Sequence, residues 1–101
     1  MTEKLVFRLV TPQGERCSCP CDAVDLWAKD DARGSGGGSM GFRRGHLPAV
    51  VALEEGSTVR AVDGEKTVYA ARIRGGFARV DRESVTVLTP DAEAISEQIT
   101  D

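Results

Sequence analysis

Gly38-Ser39-Met40-Gly41-Phe42-Arg43-Arg44-Gly45-His46-Leu47-Pro48-Ala49-Val50 is the stretch on which the reading of this 101-residue chain turns. Gly41 and Gly45 bracket a short apolar and basic run, and His46 and Pro48 then lead into Ala49-Val50-Val51-Ala52-Leu53. That apolar run reads as a buried strand. Glycine reaches φ values that other residues avoid, and Pro48 pushes Leu47 toward an extended backbone. The stretch therefore reads as a tight, exposed corner leading into a strand. The physics sets a shape and names no chemistry.

Upstream, Lys4 to Thr11 alternates, with Leu5, Phe7 and Leu9 on one side and Val6, Arg8 and Val10 on the other. That is a strand with one fully apolar face. Pro12 to Glu15 is a turn. Arg16 to Cys21 is a second strand with Cys17, Cys19 and Cys21 on one face, and Asp22 to Lys29 is a third, carrying Val24, Leu26 and Ala28 inward. Asp30 to Ser39 has no periodicity, and its Gly/Ser run reads as a mobile surface loop.

Downstream, Glu54-Glu55-Gly56 turns the chain into a strand over 57–62, and Asp63-Gly64 predicts a two-residue hairpin into Lys66 to Arg74. Gly75-Gly76 breaks the run, Phe77 to Val80 resumes it, and Val85 to Thr89 follows one more turn. Short strands about eight residues apart indicate an antiparallel sandwich or barrel. The predicted core is Leu5, Phe7, Leu9, Val24, Leu26, Val51, Leu53 and Val87. Only Asp91 to Ile99 reads as helical, capped by Thr89 or Asp91, with Ala92, Ile95 and Ile99 on one stripe. The expected division is a β-sandwich over 1–90 and a short acidic helical or disordered tail over 91–101.

Composition bounds the function. A net charge of −3 hides an asymmetry, because Asp91, Glu93, Glu97 and Asp101 face no base, while residues 1–90 carry 13 basic and 12 acidic groups. A binder of nucleic acid through phosphate contacts would be more basic, and one Tyr, one Trp and three Phe form no stacking cluster. No apolar run approaches the ~20 residues of a membrane span, and the N-terminus has no signal-peptide pattern. Three closely spaced cysteines suit a reducing compartment and predict a cytosolic chain.

Four constellations invite chemistry. Cys17-Ser18-Cys19-Pro20-Cys21 with His46 is a candidate metal set, but one intervening residue strains ligation of a tetrahedral ion, and free Cys packs as a small hydrophobe. His46 has no G-x-S-x-G or similar nucleophile element to serve, so a structural or interface role is the stronger reading. Gly34 to Gly38 lacks the lysine of a phosphate loop and no helix pattern follows it. Arg72, Arg74, Arg79 and Arg82 flank Gly75-Gly76 and are read as a solvated basic face, at most a docking strip for an acidic partner.

Taken in order, these pieces resemble the epsilon subunit of F-type ATP synthases. The resemblance is carried by Leu5-Val-Phe-Arg-Leu-Val-Thr-Pro12, Gly38-Ser-Met-Gly41, Gly45-His-Leu-Pro48, Glu55-Gly56, Gly75-Gly76-Phe77 and Val85-Thr-Val-Leu88. It implies an all-β, antiparallel sandwich of about ten strands with a short C-terminal helical tail. It further implies a non-catalytic central-stalk subunit that binds the gamma subunit and the c-ring, coupling ion translocation to ATP synthesis or hydrolysis. That places it peripherally on the cytoplasmic face of the membrane, with no cofactor and no metal. In the resembled family the loop at Gly38, Ser39, Met40, Gly41 and Phe42 faces the ring, and Gly45, His46 and Pro48 form the neighbouring corner.

Several positions depart from the family's pattern. Ser39 stands where an acid is common, and Arg43-Arg44 replaces the usual Leu-Pro. With only Asp91 to Ile99 left for a helix, the expectation is a chain without the family's pair of regulatory helices and without regulatory ATP. Short chains of this kind also resemble those of the alternate, often sodium-translocating, F-type ATPases. The competing reading is a small metal- or ligand-binding β-barrel using Cys17, Cys19, Cys21 and His46.

Overall fold

A computed structural model of the chain describes residues 4–29 and 38–95. The described residues form ten strands: β1 Leu5–Thr11, β2 Gly14–Cys21, β3 Ala23–Ala28, β4 Gly38–Arg43, β5 Ala49–Ala52, β6 Glu55–Asp63, β7 Lys66–Arg74, β8 Phe77–Val80, β9 Ser84–Leu88 and β10 Ala92–Ala94. They build two five-stranded sheets, one in the order β2-β1-β9-β8-β5 and the other β10-β7-β6-β3-β4. All pairings are antiparallel except β1 with β9. This is the predicted sandwich.

Alternation along each strand decides what lies between the sheets. Leu5, Phe7 and Leu9 of β1, Val24 and Leu26 of β3, Phe42 of β4, Val59 and Ala61 of β6, Ile73 of β7 and Val85 and Val87 of β9 are all buried. A register slip of one residue would turn every one of them to solvent, so burial of this face fixes the pairing. Full burial of each Val, Leu or Phe contributes about 1.5–3 kcal/mol.

Four expectations are corrected by the structure. The Ala49 to Leu53 run is not a buried strand: β5 is the edge of its sheet, Val50 is 71% exposed, and Val51 only packs half-buried against the rim of the core. A sandwich strand turns only every second residue to the core, so Val50 faces solvent despite the unbroken apolar run, and at the sheet edge the inward Val51 is only partly covered. The hairpin turn is Gly64-Glu65 rather than Asp63-Gly64, because Asp63 still pairs with Lys66. Gly64 alone in that turn has a positive φ, at 67°, which suits a turn whose first central residue is glycine.

The expected helix is the third correction. Ala92–Ala94 is an extended strand whose register with β7 sets Ala92 opposite Ile73 and Ala94 opposite Ala71. Ala92 fills the inner face at the end of the sheet, where tertiary pairing outweighs alanine's helix propensity. The sandwich therefore runs past residue 90, and the rest of the expected tail, 96–101, lies outside the described residues. Fourth, Gly38 and Ser39 begin β4 rather than ending a loop; residues 30–37 of that expected loop lie outside the described residues.

One glycine is a packing requirement. Gly76, at φ 108°, brings its backbone so close to β9 that an added Cβ would sit 2.1 Å from the Leu88 carbonyl oxygen. This approach lets the Leu53 N–H donate to the Gly76 carbonyl at 2.9 Å and seals the end of the sandwich.

Candidate functional site

β4 is the outer strand of its sheet, and its alternation divides the expected ring-facing set. Ser39 pairs with Trp27 and Gly41 with Asp25 on the exposed face. Met40, opposite Leu26, is 37% exposed at the open edge. Gly41 has little room, since a Cβ there would meet Asp25 Oδ1 at 3.0 Å. Phe42, opposite Val24, turns inward and is 1% exposed. Gly38, Ser39, Met40 and Gly41 thus line the edge, while Phe42 anchors the strand in the core and offers a partner nothing.

Phe42 also holds the corner. The His46 ring meets it edge-on, with centroids 4.8 Å apart and planes at 80°. The His46 N–H closes a turn onto the Arg43 carbonyl at 3.3 Å, and His46 Nδ1 lies 2.7 Å from the Leu47 carbonyl oxygen, which accepts its hydrogen in the Nδ1–H tautomer. Gly45 takes a positive φ of 92° and donates its N–H to the Arg82 carbonyl at 2.7 Å, docking the corner on the β8–β9 turn. Arg44 Nη2 reaches Glu83 Oε2 of that turn at 3.9 Å. His46 is itself exposed, with its ring against Phe42 and its Nδ1 on the Leu47 carbonyl. Beyond it Pro48 and Leu47 are exposed, Leu47 by 70%.

The β8–β9 turn is tied by its own hydrogen bonds. Asp81 Oδ1 accepts from the Glu83 N–H at 3.1 Å, the Ser84 N–H at 3.0 Å and the Ser84 hydroxyl at 3.1 Å. These donors, the Glu83 N–H first, hold the Asp81 carboxyl below its ordinary range. Sequence reading missed this second half of the site. The signal that could have found it is Asp81 three residues before Ser84, a side-chain-capped turn pattern.

The other constellations separate. Cys17 and Cys19 sit half-buried against the core with their sulfurs 4.0 Å apart, and Cys21 is buried. Burial, reinforced by Cys19, pushes the Cys17 thiol up to about 12, and burial likewise lifts Cys21 to about 11. Cys17 and Cys21 are four residues apart on one strand, roughly 13 Å, too far to share an ion. β2 and β5 are opposite edges of their sheet, which keeps His46 away from all three thiols. Among the described residues no group of three or more His, Cys, Asp or Glu side chains is placed to hold a metal.

The four arginines do not form one strip either. Arg72 and Arg74 lie on β7 opposite Glu93 and Glu55, whereas Arg79 and Arg82 belong to the other sheet and its turn. Gly38 of the glycine run opens a strand, not a helix. The outer face of the first sheet carries an unforeseen apolar row, Val10, Leu88 and Phe77 in register, beside a shallow groove floored by Pro12 and Pro90. Among the described residues no helix is long and apolar enough to cross a membrane.

Residues 4–95 match the family described as ATP synthase, Delta/Epsilon chain, beta-sandwich domain. The ATP synthase epsilon chain of Paracoccus denitrificans is 37% identical over 102 residues, covering 96% of this chain and 63% of the relative. A chain of the Euglena gracilis mitochondrial ATP synthase structure (OSCP/F1/c-ring, rotational state 1) superposes with a TM-score of 0.71 at 22% identity, over 98% of this chain and 58% of that one. A chain of the Tetrahymena thermophila mitochondrial ATP synthase central stalk/c-ring structure gives 0.65 at 11% identity, over 90% and 66%. The chain thus spans less than two thirds of the Paracoccus relative. A family match that takes in all ten strands leaves one assignment: the chain belongs to the ATP synthase delta/epsilon-chain β-sandwich family.

Proposed function

We propose that this chain acts as a non-catalytic, central-stalk subunit of a rotary ATP synthase, binding a gamma subunit and a c-ring so that ion movement and ATP chemistry stay coupled. The observation that carries the reading is the family match over residues 4–95, which takes in all ten strands and the Gly45-His46-Leu47-Pro48 corner. The surface supports it: Ser39, Met40, Leu47 and Val50 stand out on the edge strands β4 and β5 and on the corner between them, on a backbone fixed from the β8–β9 turn. The role asks a sandwich to transmit torque, which needs a stiff body with partner-facing edges and no reactive group. In this reading the protein is peripheral to the membrane on its cytoplasmic face, held there through the complex, with Gly38, Ser39, Met40 and Gly41 facing the ring.

The test is co-purification of this chain with the gamma subunit and c-ring of the same source. The expected result is a stoichiometric complex that survives gel filtration. Failure of the full chain to join either component refutes the reading.

A further inference from the structure

β2 is an outer strand of its sheet and carries all three cysteines of the chain in one row, Cys17 opposite Leu9, Cys19 opposite Phe7 and Cys21 opposite Leu5. The row is graded in depth: Cys21 is buried, whereas Cys17 and Cys19 are half-buried. All three are free thiols, and the Cys17 and Cys19 sulfurs stand 4.0 Å apart. Two residues of strand separate Cα atoms by about 6.6 Å, inside the ~4.4–6.8 Å over which disulfides join them, and both Cβ atoms point to the same face. The backbone favours this pair over Cys19 and Cys21. Ser18 lies between Cys17 and Cys19 and leaves the chain free to adjust, and the bulge at Arg16 adds slack beside Cys17. Pro20 lies between Cys19 and Cys21, where it fixes its own φ and holds Cys19 extended.

We infer that Cys17 and Cys19 form a dithiol modification site, oxidised by a low-molecular-weight disulfide to a reversible Cys17–Cys19 bond. The inference goes beyond the proposed rotor role and does not depend on it. In the first step the Cys19 thiol gives its proton to solvent and its sulfur attacks one sulfur of the small disulfide; the other sulfur leaves as a thiolate and takes up a proton. In the second, the Cys17 thiol gives up its proton and its sulfur attacks that of Cys19, which releases the second small thiol. The protein loses two electrons and two protons, and the small disulfide becomes two thiols. Environment sets this order. The Cys17 thiol, pushed up to about 12 by burial and by Cys19, is the poorer attacker on a reagent from solution. Against a mixed disulfide on Cys19 its attack is intramolecular, from a sulfur only 4.0 Å away. Closing so short a loop takes little entropy from the unfolded chain, so folding does not lock the bond and it stays open to reduction.

The experiment incubates the reduced, folded full chain with excess oxidised glutathione at about pH 8, then blocks remaining thiols in denaturant and maps the products by mass spectrometry. Wild type is expected to lose two hydrogen atoms, with Cys17 joined to Cys19 and Cys21 alkylated, and reduced glutathione is expected to reverse the change. Cys17→Ser, which has no second thiol in reach, is expected to keep one glutathione on Cys19. Cys19→Ser is expected to take up glutathione at least about tenfold more slowly than Cys17→Ser, in line with the raised Cys17 thiol. Cys21→Ser is expected to form the same bond as wild type, and circular dichroism verifies the fold of each variant. A folded wild type that stays fully reduced, keeps glutathione without closing, joins Cys19 to Cys21, or links two chains overturns the inference. So does Cys19→Ser reacting as fast as Cys17→Ser. Each of these results leaves the rotor role untouched, because none involves a partner subunit.

Discussion

Replacing Gly76 by alanine probes the closest backbone approach in the sandwich. A Cβ there would lie 2.1 Å from the Leu88 carbonyl oxygen and 2.9 Å from the Thr89 Cα. Carbon–oxygen contacts ordinarily settle near ~3.3 Å, so β8 would have to retreat from β9 by more than about 1 Å. Both obstacles are backbone, and no rotamer change relieves them. The retreat also stretches the bond from the Leu53 N–H to the Gly76 carbonyl, worth about 1 kcal/mol. A φ of 108° adds a conformational cost of about 1–3 kcal/mol for any residue with a side chain. The expected loss is about 3–5 kcal/mol, much of the ~5–15 kcal/mol that holds a domain folded. Gly14→Ala is the matched control: its φ is 119° but nothing lies within 4 Å, so only the conformational cost remains. With a urea slope of about 1.5 kcal/mol per M, Gly76→Ala should lower the midpoint by roughly 2–3 M, and Gly14→Ala by half of that or less. Equal midpoints for the two variants would refute the claim that steric approach makes Gly76 obligatory.

Three further outcomes are expected. Phe7 is fully buried with its ring 5.9 Å from that of Tyr69, so Phe7→Ala should cost about 3–5 kcal/mol in chemical denaturation, and a cost under ~1 kcal/mol would mean the site repacks without a cavity. Because the Cys17 thiol is raised to about 12, iodoacetamide should modify it at pH 8 at least about a hundredfold more slowly than a free cysteine of pKa ~8.5; equal rates would rule out its burial against the core. The same shift makes the stability due to Cys17 intact below the unfolded thiol's pKa and lost as pH rises from about 9 toward 12, so melts of wild type and Cys17→Ser should converge over that alkaline window. Leu47→Ser and Val50→Ser should each change stability by no more than ~0.5 kcal/mol, since both side chains are about 70% exposed, yet together weaken rotor binding at least about tenfold; intact binding would exclude them from the interface.

Period-2 patterning carried most of the fold into view, because burial of one face leaves a strand no choice of register. Leu5, Phe7, Leu9, Val24, Leu26, Leu53 and Val87 are buried as alternation required. The misreadings fall at sheet edges and chain ends. Val50 and Val51 look alike in sequence; alternation turns Val50 outward and Val51 inward, and the position of β5 at the margin of its sheet leaves even the inward residue only half-buried. Ala92 and Ala94 fit a helix by propensity, but β7 presents an open edge that their backbone can pair with. Short segments are decided by whichever neighbour is available, and a neighbour 20 residues away is invisible to local pattern.

The site was legible only in its first half. Gly45, His46 and Pro48 announced a corner, whereas its support from Arg82 and Glu83 depends on two loops that meet only after the sheets have packed. The edges show how the fold separates its own needs from the surface it displays. β2 carries Pro20 and a bulge at Arg16, opposite the Leu9–Val10 step of β1, and β10 is three residues long; both blunt strand-to-strand association. β5 is short as well, and Pro48 stands just before it. Folding would be served equally by serine at Leu47 and Val50, because neither fills the core. Keeping large aliphatic side chains exposed there carries an aggregation liability with no return in stability. Under the proposed rotor role a partner covers them, on a corner backbone tied to the β8–β9 turn by the Gly45–Arg82 bond.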